Sequence, residues 1–270
     1  MIRRLLGKKK ERFEEIARER LLGSPAFPVV RTAYQSVFNR GKLNSRRQMM
    51  QFYSQFVRPG DLVFDVGANV GMYAEIFSEL KARVVAVEPN PECVRSLDKL
   101  AQRTTVKVEP FAVSDRPGTI ALQLSGTNQL STANPEWRSR VEKSEYHHFG
   151  QWTEEIKVEC VTLDQLAKRH GNPKFVKIDV EGFDDRVMFG ISFKPSALTF
   201  EFNRVLPAVA MNCLEAPVVR EGYEFNVQNI GTFQYVSPVW LGRKEIIEKV
   251  ESLVGPRESA DIVARLKAAI

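Results

Sequence analysis

Seven consecutive residues, Asp65-Val66-Gly67-Ala68-Asn69-Val70-Gly71, put a carboxylate, an asparagine and two glycines into one short loop. An apolar run precedes them at 62–66 and a helical pattern follows from 72. A strand that turns sharply into a helix needs glycine where the backbone takes a positive φ, which assigns the tight turn to Gly67. Gly71 then lets the helix pack close to the strand. The first amides of a helix have no partner within it, so such a loop can hold a ligand against its backbone. A pyrophosphate is one ligand of this kind. Here, however, Asn69 stands where a dinucleotide loop carries its central glycine.

A second carboxylate, Glu88, ends the apolar run 83–87, 23 residues after Asp65. An acid at the end of the second strand, about 20 residues on, is placed to accept hydrogen bonds from both hydroxyls of a ribose. A third cluster is Phe175-Val176-Lys177-Ile178-Asp179-Val180-Glu181-Gly182. It is a buried strand that runs into charge at its C-terminal end, the edge where open α/β sheets bind ligands. Asp179 and Glu181 are therefore the first candidates for a reaction centre, with Lys177 as an ion partner for either. His147 and His148 add two imidazoles that titrate near neutral pH. No His, Cys or acid spacing defines a metal site.

These groups need a scaffold that brings strand ends together. Strands at 62–66, 83–87, 106–113, 174–180 and 198–202 alternate with helices at 72–80, 91–103 and from 184. That alternation predicts a mostly parallel sheet with helices on both faces. Runs at 223–228 and 232–236, joined by Asn229-Ile230-Gly231, read as an antiparallel hairpin. A parallel sheet closed by a hairpin is the Rossmann-like layout of class I methyltransferases, whose donor is S-adenosylmethionine. That donor has no phosphate, so the loop would cradle its amino acid and ribose parts, with Asp65 accepting from the ammonium.

The chain divides on this reading into an N-terminal helical extension at 1–45, a catalytic domain at 46–240 with an insertion at about 114–173, and C-terminal helices at 241–270. The insertion contains strand patterns at 119–124 and 155–161, and a helix at 162–170 opened by a capping box, Thr162 with Gln165. Its middle has little periodicity and reads as a lid. Ser131, Asn134, Trp137, Tyr146 and Trp152 there are candidates for a wall that stacks on a sugar. The chain has 270 residues, 43% hydrophobic and 27% charged, and a formal charge of +6, which suits a globular protein. Much of the excess charge lies in the first twenty residues, an amphipathic pattern suited to peripheral contact with a membrane surface. No run reaches the roughly 20 apolar residues of a membrane span, and no nucleic-acid motif is present. Three scattered cysteines, Cys93, Cys160 and Cys213, predict free thiols and a cytoplasmic setting.

Taken together, FDVGANVG at 64–71, VEPNP at 87–91, AVSD at 112–115, VTLDQL at 161–166, VKIDVEG at 176–182 and TFEF at 199–202 resemble the FkbM family of methyltransferases, in the family's order. The resemblance implies a class I fold, S-adenosylmethionine as donor, and O-methylation of a sugar, glycan or natural product. It places Asp65, Gly67, Asn69 and Gly71 in the donor loop and Glu88 on the ribose. It sets Ser114 and Asp115 near the adenine, and Asp179 with Glu181 at the reaction centre. Asp184 departs from the pattern, since the family usually carries Glu there. Two other readings remain at this point: a nicotinamide-dependent oxidoreductase, and a protein that binds the cofactor without chemistry.

Overall fold

A computed structural model describes residues 40–126, 130–144, 152–252 and 260–267. The amphipathic pattern at the N-terminus, Tyr146, His147 and His148 lie outside the described residues.

The chain enters on helix α1 (Arg40–Tyr53). There follow β1 (Leu62–Val66), α2 (Met72–Glu79), β2 (Arg83–Val87), α3 (Pro91–Ala101) and β3 (Val106–Glu109). The insertion comprises β4 (Ala112–Val113), β5 (Gly118–Ser125), α4 (Pro135–Glu142), β6 (Trp152–Val161) and α5 (Leu163–His170). The main sheet resumes with β7 (Phe175–Ile178), α6 (Asp184–Phe189) and β8 (Ala197–Phe202). Two helices, α7 (Pro207–Glu215) and α8 (Pro217–Arg220), lead to β9 (Tyr223–Asn229), β10 (Gln234–Tyr235), α9 (Arg243–Ser252) and β11 (Ala260–Leu266).

Eight strands form the main sheet in the order β10-β9-β11-β8-β7-β1-β2-β3. The five from β3 to β8 are parallel. β11 lies antiparallel between β8 and β9, and β10 pairs antiparallel with β9. This is the α/β layout expected, a mostly parallel sheet with an antiparallel end, and β9 with β10 is the expected hairpin. The last element differs. Residues 259–269 read as a helix, yet Ala260–Leu266 is a strand that pairs on both sides. Its residues Ala260 to Ala264 are all buried. A strand covered on both faces loses the alternation that separates it from a helix, and an Ala-rich run then reads as helical.

The sheet separates two cores. Phe64, Val66, Val176, Ile178, Phe200 and Ile262 face one, beneath α5, α6, α7 and α9. Val63, Phe175, Ala197 and Val263 face the other, under α1, α2 and α3. The insertion builds its own sheet, β4-β6-β5. The expected third strand at 106–113 is therefore two strands in two sheets, broken at Pro110, which cannot donate to a ladder. The capping box forms: the Thr162 side chain accepts from Gln165 N–H at 3.2 Å, and the Gln165 side chain accepts from Thr162 N–H at 3.0 Å.

Candidate active site

β1 is buried along its whole length and delivers Asp65 to the C-terminal edge of the sheet, 1% exposed. Gly67 turns the chain with φ 78°. A Cβ there would stand 1.8 Å from the backbone oxygen of Asp179, so the close approach of β1 and β7 excludes any side chain. Gly71 caps α2 with φ 90° and no side-chain hydrogen bond, and a Cβ there would press on Leu97 and Leu100 of α3 at 2.9 Å. Asn69 occupies the left-handed region with φ 49°, which asparagine tolerates better than most residues. Its N–H donates to Glu88 Oε2 at 2.8 Å, and its own Oδ1 accepts from Val70 N–H at 2.7 Å. The asparagine thus ties the donor loop to the second strand end.

Glu88 is 7% exposed, and its Oε1 accepts from Asn90 N–H at 2.9 Å. Burial pushes its carboxyl up to about 7, against the pull of those two backbone donors. Each oxygen has one acceptor position left, one for each hydroxyl of a vicinal diol. Asp65 accepts the N–H of Ala74 in the first turn of α2, and its Oδ2 is buried without a partner. Burial raises it to about 6, with Lys177 opposing and Asp179 reinforcing.

Lys177 is 2% exposed, opposite Asp65 across the β1–β7 ladder. Its Nζ donates to Asp179 Oδ2 at 2.7 Å and sits 4.1 Å from the Tyr73 ring centroid. Burial alone would lower its pKa. Asp179, Tyr73, Asp261 and Asp65 together hold it well above the usual lysine range.

Asp179, half-buried, is fixed by its N–H donating to Val66 O at 3.0 Å. Glu181 has φ 54°, a strained position for a side chain of its size. The insertion holds it there. Thr132 Oγ1 donates to Glu181 O at 2.6 Å and Asn134 Nδ2 donates to Gly182 O at 2.6 Å. Asn134 also caps α4 through Oδ1, accepting from Glu136 and Trp137 N–H. Gly182, at φ 82°, lies so close to Trp137 that a Cβ would meet the indole at 2.4 Å. Burial, then Glu201 and Asp179, drives the Glu181 carboxyl well above the usual range. Glu201 is raised likewise by burial, Asp179, Asp184 and Asp261, and its Oε2 is buried without a partner. Asp184, 1% exposed, accepts the Glu201 N–H and so ties α6 to β8; burial lifts it to about 7.

The structure thus gathers Asp65, Gly67, Asn69, Gly71, Glu88, Asp179 and Glu181 along one sheet edge. Ser114 and Asp115 contact other elements. Ser114 N–H donates to Val161 O at 3.0 Å, its Oγ donates to Asp115 Oδ1 at 3.0 Å, and Gly190 packs on its backbone. Asp115 faces Arg186 of α6 at 3.5 Å. Trp137 is 1% exposed, and Trp152 meets it edge to face at 6.3 Å with its Nε1 donating to Leu130 O. Trp137 is thus core, and does not line a sugar-stacking wall. Sequence reasoning missed Tyr53, Tyr73 and Asp261. Tyr53 sits on a helix with no motif around it, Tyr73 lies just past the glycine loop but outside its motif, and Asp261 lies in the run whose pattern reads as a helix. Among the described residues no group of three His, Cys, Asp or Glu has metal-binding geometry, and no helix is long and apolar enough to cross a membrane. All three cysteines are free and buried.

This edge provides a glycine turn, a carboxylate with acceptor positions for a diol, and buried carboxylates suited to a cation. A family model described as the methyltransferase FkbM domain matches residues 65–214, more than half of the chain, and the chain belongs to that family. The hexuronic acid methyltransferase AglP of Haloferax volcanii is 27% identical over 167 residues, 58% of this chain and 61% of that one. The 31-O-demethyl-FK506 methyltransferase FkbM of Streptomyces tacrolimicus is 31% identical over 159 residues, 50% of this chain and 61% of that one. The match spans about three-fifths of the length of each relative. The solved precorrin-6y C5,15-methyltransferase of Geobacter metallireducens aligns over 82% of this chain and 87% of that one at 12% identity, with a TM-score of 0.41. That likeness is too loose to add to what the strand order already says.

The residues fit the donor. Its ribose diol matches the free acceptor positions of Glu88, and its ammonium and sulfonium match an edge with an unpartnered Asp65 oxygen. A pyrophosphate fits poorly, because Asp65, Asp179 and Glu88 would repel it and the Lys177 ammonium already serves Asp179.

Proposed function

We propose that the protein is an O-methyltransferase acting on a hydroxyl of a sugar, glycan or related natural product, with Glu181 as general base. S-adenosylmethionine, when bound, would supply the methyl group from a sulfonium that leaves as a neutral thioether. The observation that carries the reading is the group Asp179, Glu181 and Glu201 at the C-terminal ends of β7 and β8. A base works best with a pKa near the operating pH. Burial and neighbouring acids raise the Glu181 carboxyl well above the usual carboxylate range, which makes it the stronger base when ionised. Thr132 and Asn134 hold its backbone in place, so the carboxyl is pre-positioned by the insertion. The insertion then serves as the lid over the acceptor. Asp65 and Glu88 bind the donor, Gly67, Asn69 and Gly71 shape its loop, and Asp179 orients the reacting groups through Lys177. Ser114 and Asp115 belong to the adenine side in this reading, and His147 and His148 to the lid. The relatives' names support an oxygen acceptor, one being for a hexuronic acid and the other for a 31-O-demethyl compound.

The test is a screen of glycosides and polyols with radiolabelled donor, repeated with Glu181→Gln. Oxygen methylation that falls about 10²–10⁴-fold in kcat in the variant supports the base assignment. Turnover unchanged by Glu181→Gln refutes it, and methylation only of nitrogen or carbon acceptors refutes the hydroxyl reading.

A further inference from the structure

One row of in-register residues crosses the sheet below the donor loop. Asp65 pairs with Lys177, Lys177 with Thr199, and Thr199 with Val263. One step toward the C-terminal edge, Glu201 pairs with Asp261 and Asp261 with Gln228. Paired residues on adjacent strands point to the same face, and so do residues two apart on one strand. Asp65, Lys177, Asp179, Thr199, Glu201, Asp261 and Gln228 therefore share one side, the side covered by α1 and α2. Tyr53 of α1 lies over it, fully buried, with its hydroxyl unpartnered. Asp65 Oδ2, Asp261 Oδ2, Thr199 Oγ1 and Gln228 Oε1 are buried and unpartnered too. The groups that face Asp261 are Lys177 from β7 and Asp179 just beyond it, Glu201 from β8, Tyr53 from α1 and Tyr73 from α2, while Asp65 of β1 faces Lys177 and Asp179. One ammonium thus stands among several carboxyls.

Resting on the donor reading above, we propose that Asp65 and Asp261, arrayed about Lys177, form a proton store that answers the charge of the donor. They release a proton when the sulfonium enters and regain one when the donor has become its neutral thioether. The charge count requires some such response. With Asp65, Asp179, Glu201 and Asp261 all ionised against Lys177, the group carries an excess of three negative charges, and unpaired buried charge is costly. Protonation relieves that excess in the empty site, and an arriving cation relieves it in another way. Consistent with this, burial lifts Asp65 to about 6 and Asp261 to about 7. A nearby positive charge pulls such carboxyls down and expels the proton. In the transfer step the acceptor O–H bond breaks, the C–O bond forms and the donor C–S bond breaks. The acceptor's proton leaves to solvent through Glu181 while the store regains one from solvent, so the buried group and the donor together keep a steady net charge through the cycle. Asp261 acts here as a positioning residue, through Lys177, and touches neither substrate.

The experiment needs no acceptor. S-adenosylmethionine and S-adenosylhomocysteine are each titrated calorimetrically into the full chain at pH 6.5, in two buffers of different ionisation enthalpy. At that pH the amino groups of both ligands are charged. The expected result is a larger proton release with the sulfonium ligand than with the thioether, by a substantial fraction of a proton, because the ammonium that faces Asp65 is common to both. Asp261→Asn should cut that difference by about half and leave thioether affinity within about twofold. Equal proton counts for the two ligands in the wild type overturn the proposal, whatever the variant does. A difference unchanged in a folded Asp261→Asn variant overturns the role of that residue. Wild type that binds neither ligand overturns the donor reading instead.

Discussion

Gly67→Ala tests whether the donor loop depends on the close approach of β1 and β7. An alanine at φ 78° costs about 1–2 kcal/mol against the left-handed region. Its Cβ would stand 1.8 Å from Asp179 O, a backbone atom that cannot rotate away. The strands must part by more than an ångström, which strains or breaks the 3.0 Å bond from Asp179 N–H to Val66 O. Overpacking of this kind costs about 1–3 kcal/mol, and a lost hydrogen bond about 1 kcal/mol. The total is about 3–6 kcal/mol. For a chain of this size each kcal/mol shifts Tm by about 2–4 °C, so a fall on the order of 10 °C is expected. Gly60→Ala is the matched control, because Gly60 also has a positive φ, 87°, and a Cβ added there would meet nothing within 4 Å. It should lose only the conformational share, about 3 °C. Scanning calorimetry of both variants decides. Equal falls in Tm would show that β1 and β7 do not approach as described, and would remove the stated reason for glycine at position 67.

Other consequences follow from the same contacts. Lys177→Met removes, among the described residues, the one ammonium beside Asp65, Asp179 and Asp261, and should cost about 3 kcal/mol in chemical denaturation, since breaking a buried pair leaves charge uncompensated. Asp65 at about 6 and Glu88, Asp184 and Asp261 at about 7 all lie above their usual values. The folded state therefore binds more protons than the unfolded state between about pH 4 and 7, and these groups make stability fall as pH rises through that window. A Tm series without ligand from pH 5.5 to 7.5 should fall, and a steady rise would contradict the burial of these acids. Asn134→Ala removes the cap of α4 and the tether to Gly182, costing about 1 kcal/mol, and should lower acceptor turnover more than donor affinity.

The donor half of the molecule was legible because its signals are local. β1 and β2 are short apolar runs ended by turns, and the loop between β1 and α2 needs glycines that no other residue replaces. Glu88 and Asp179 followed from strand ends alone. The insertion and the C-terminal part of the sheet were harder. Helix α4 opens on Asn134-Pro135, a cap that lies in a polar stretch without a clear apolar stripe, because only Trp137 and Val141 are buried. Strand β11 was hidden by burial on both faces, and Asp261 with it. Tyr53 and Tyr73 reach the site from helices whose register only the packed fold determines. Lys177 was identified as an ion partner from its place in the strand, but its choice of Asp179 over Glu181 depends on the turn at Glu181, whose positive φ no motif announces.

The central claim is that the glycine loop and Glu88 hold S-adenosylmethionine. Calorimetric titration of S-adenosylmethionine and NAD into the wild type and Glu88→Ala tests it most directly. The account predicts saturable binding of S-adenosylmethionine alone, weakened at least about tenfold by the substitution through loss of two charge-assisted hydrogen bonds. A folded wild type that prefers NAD, or S-adenosylmethionine affinity indifferent to Glu88, would contradict it.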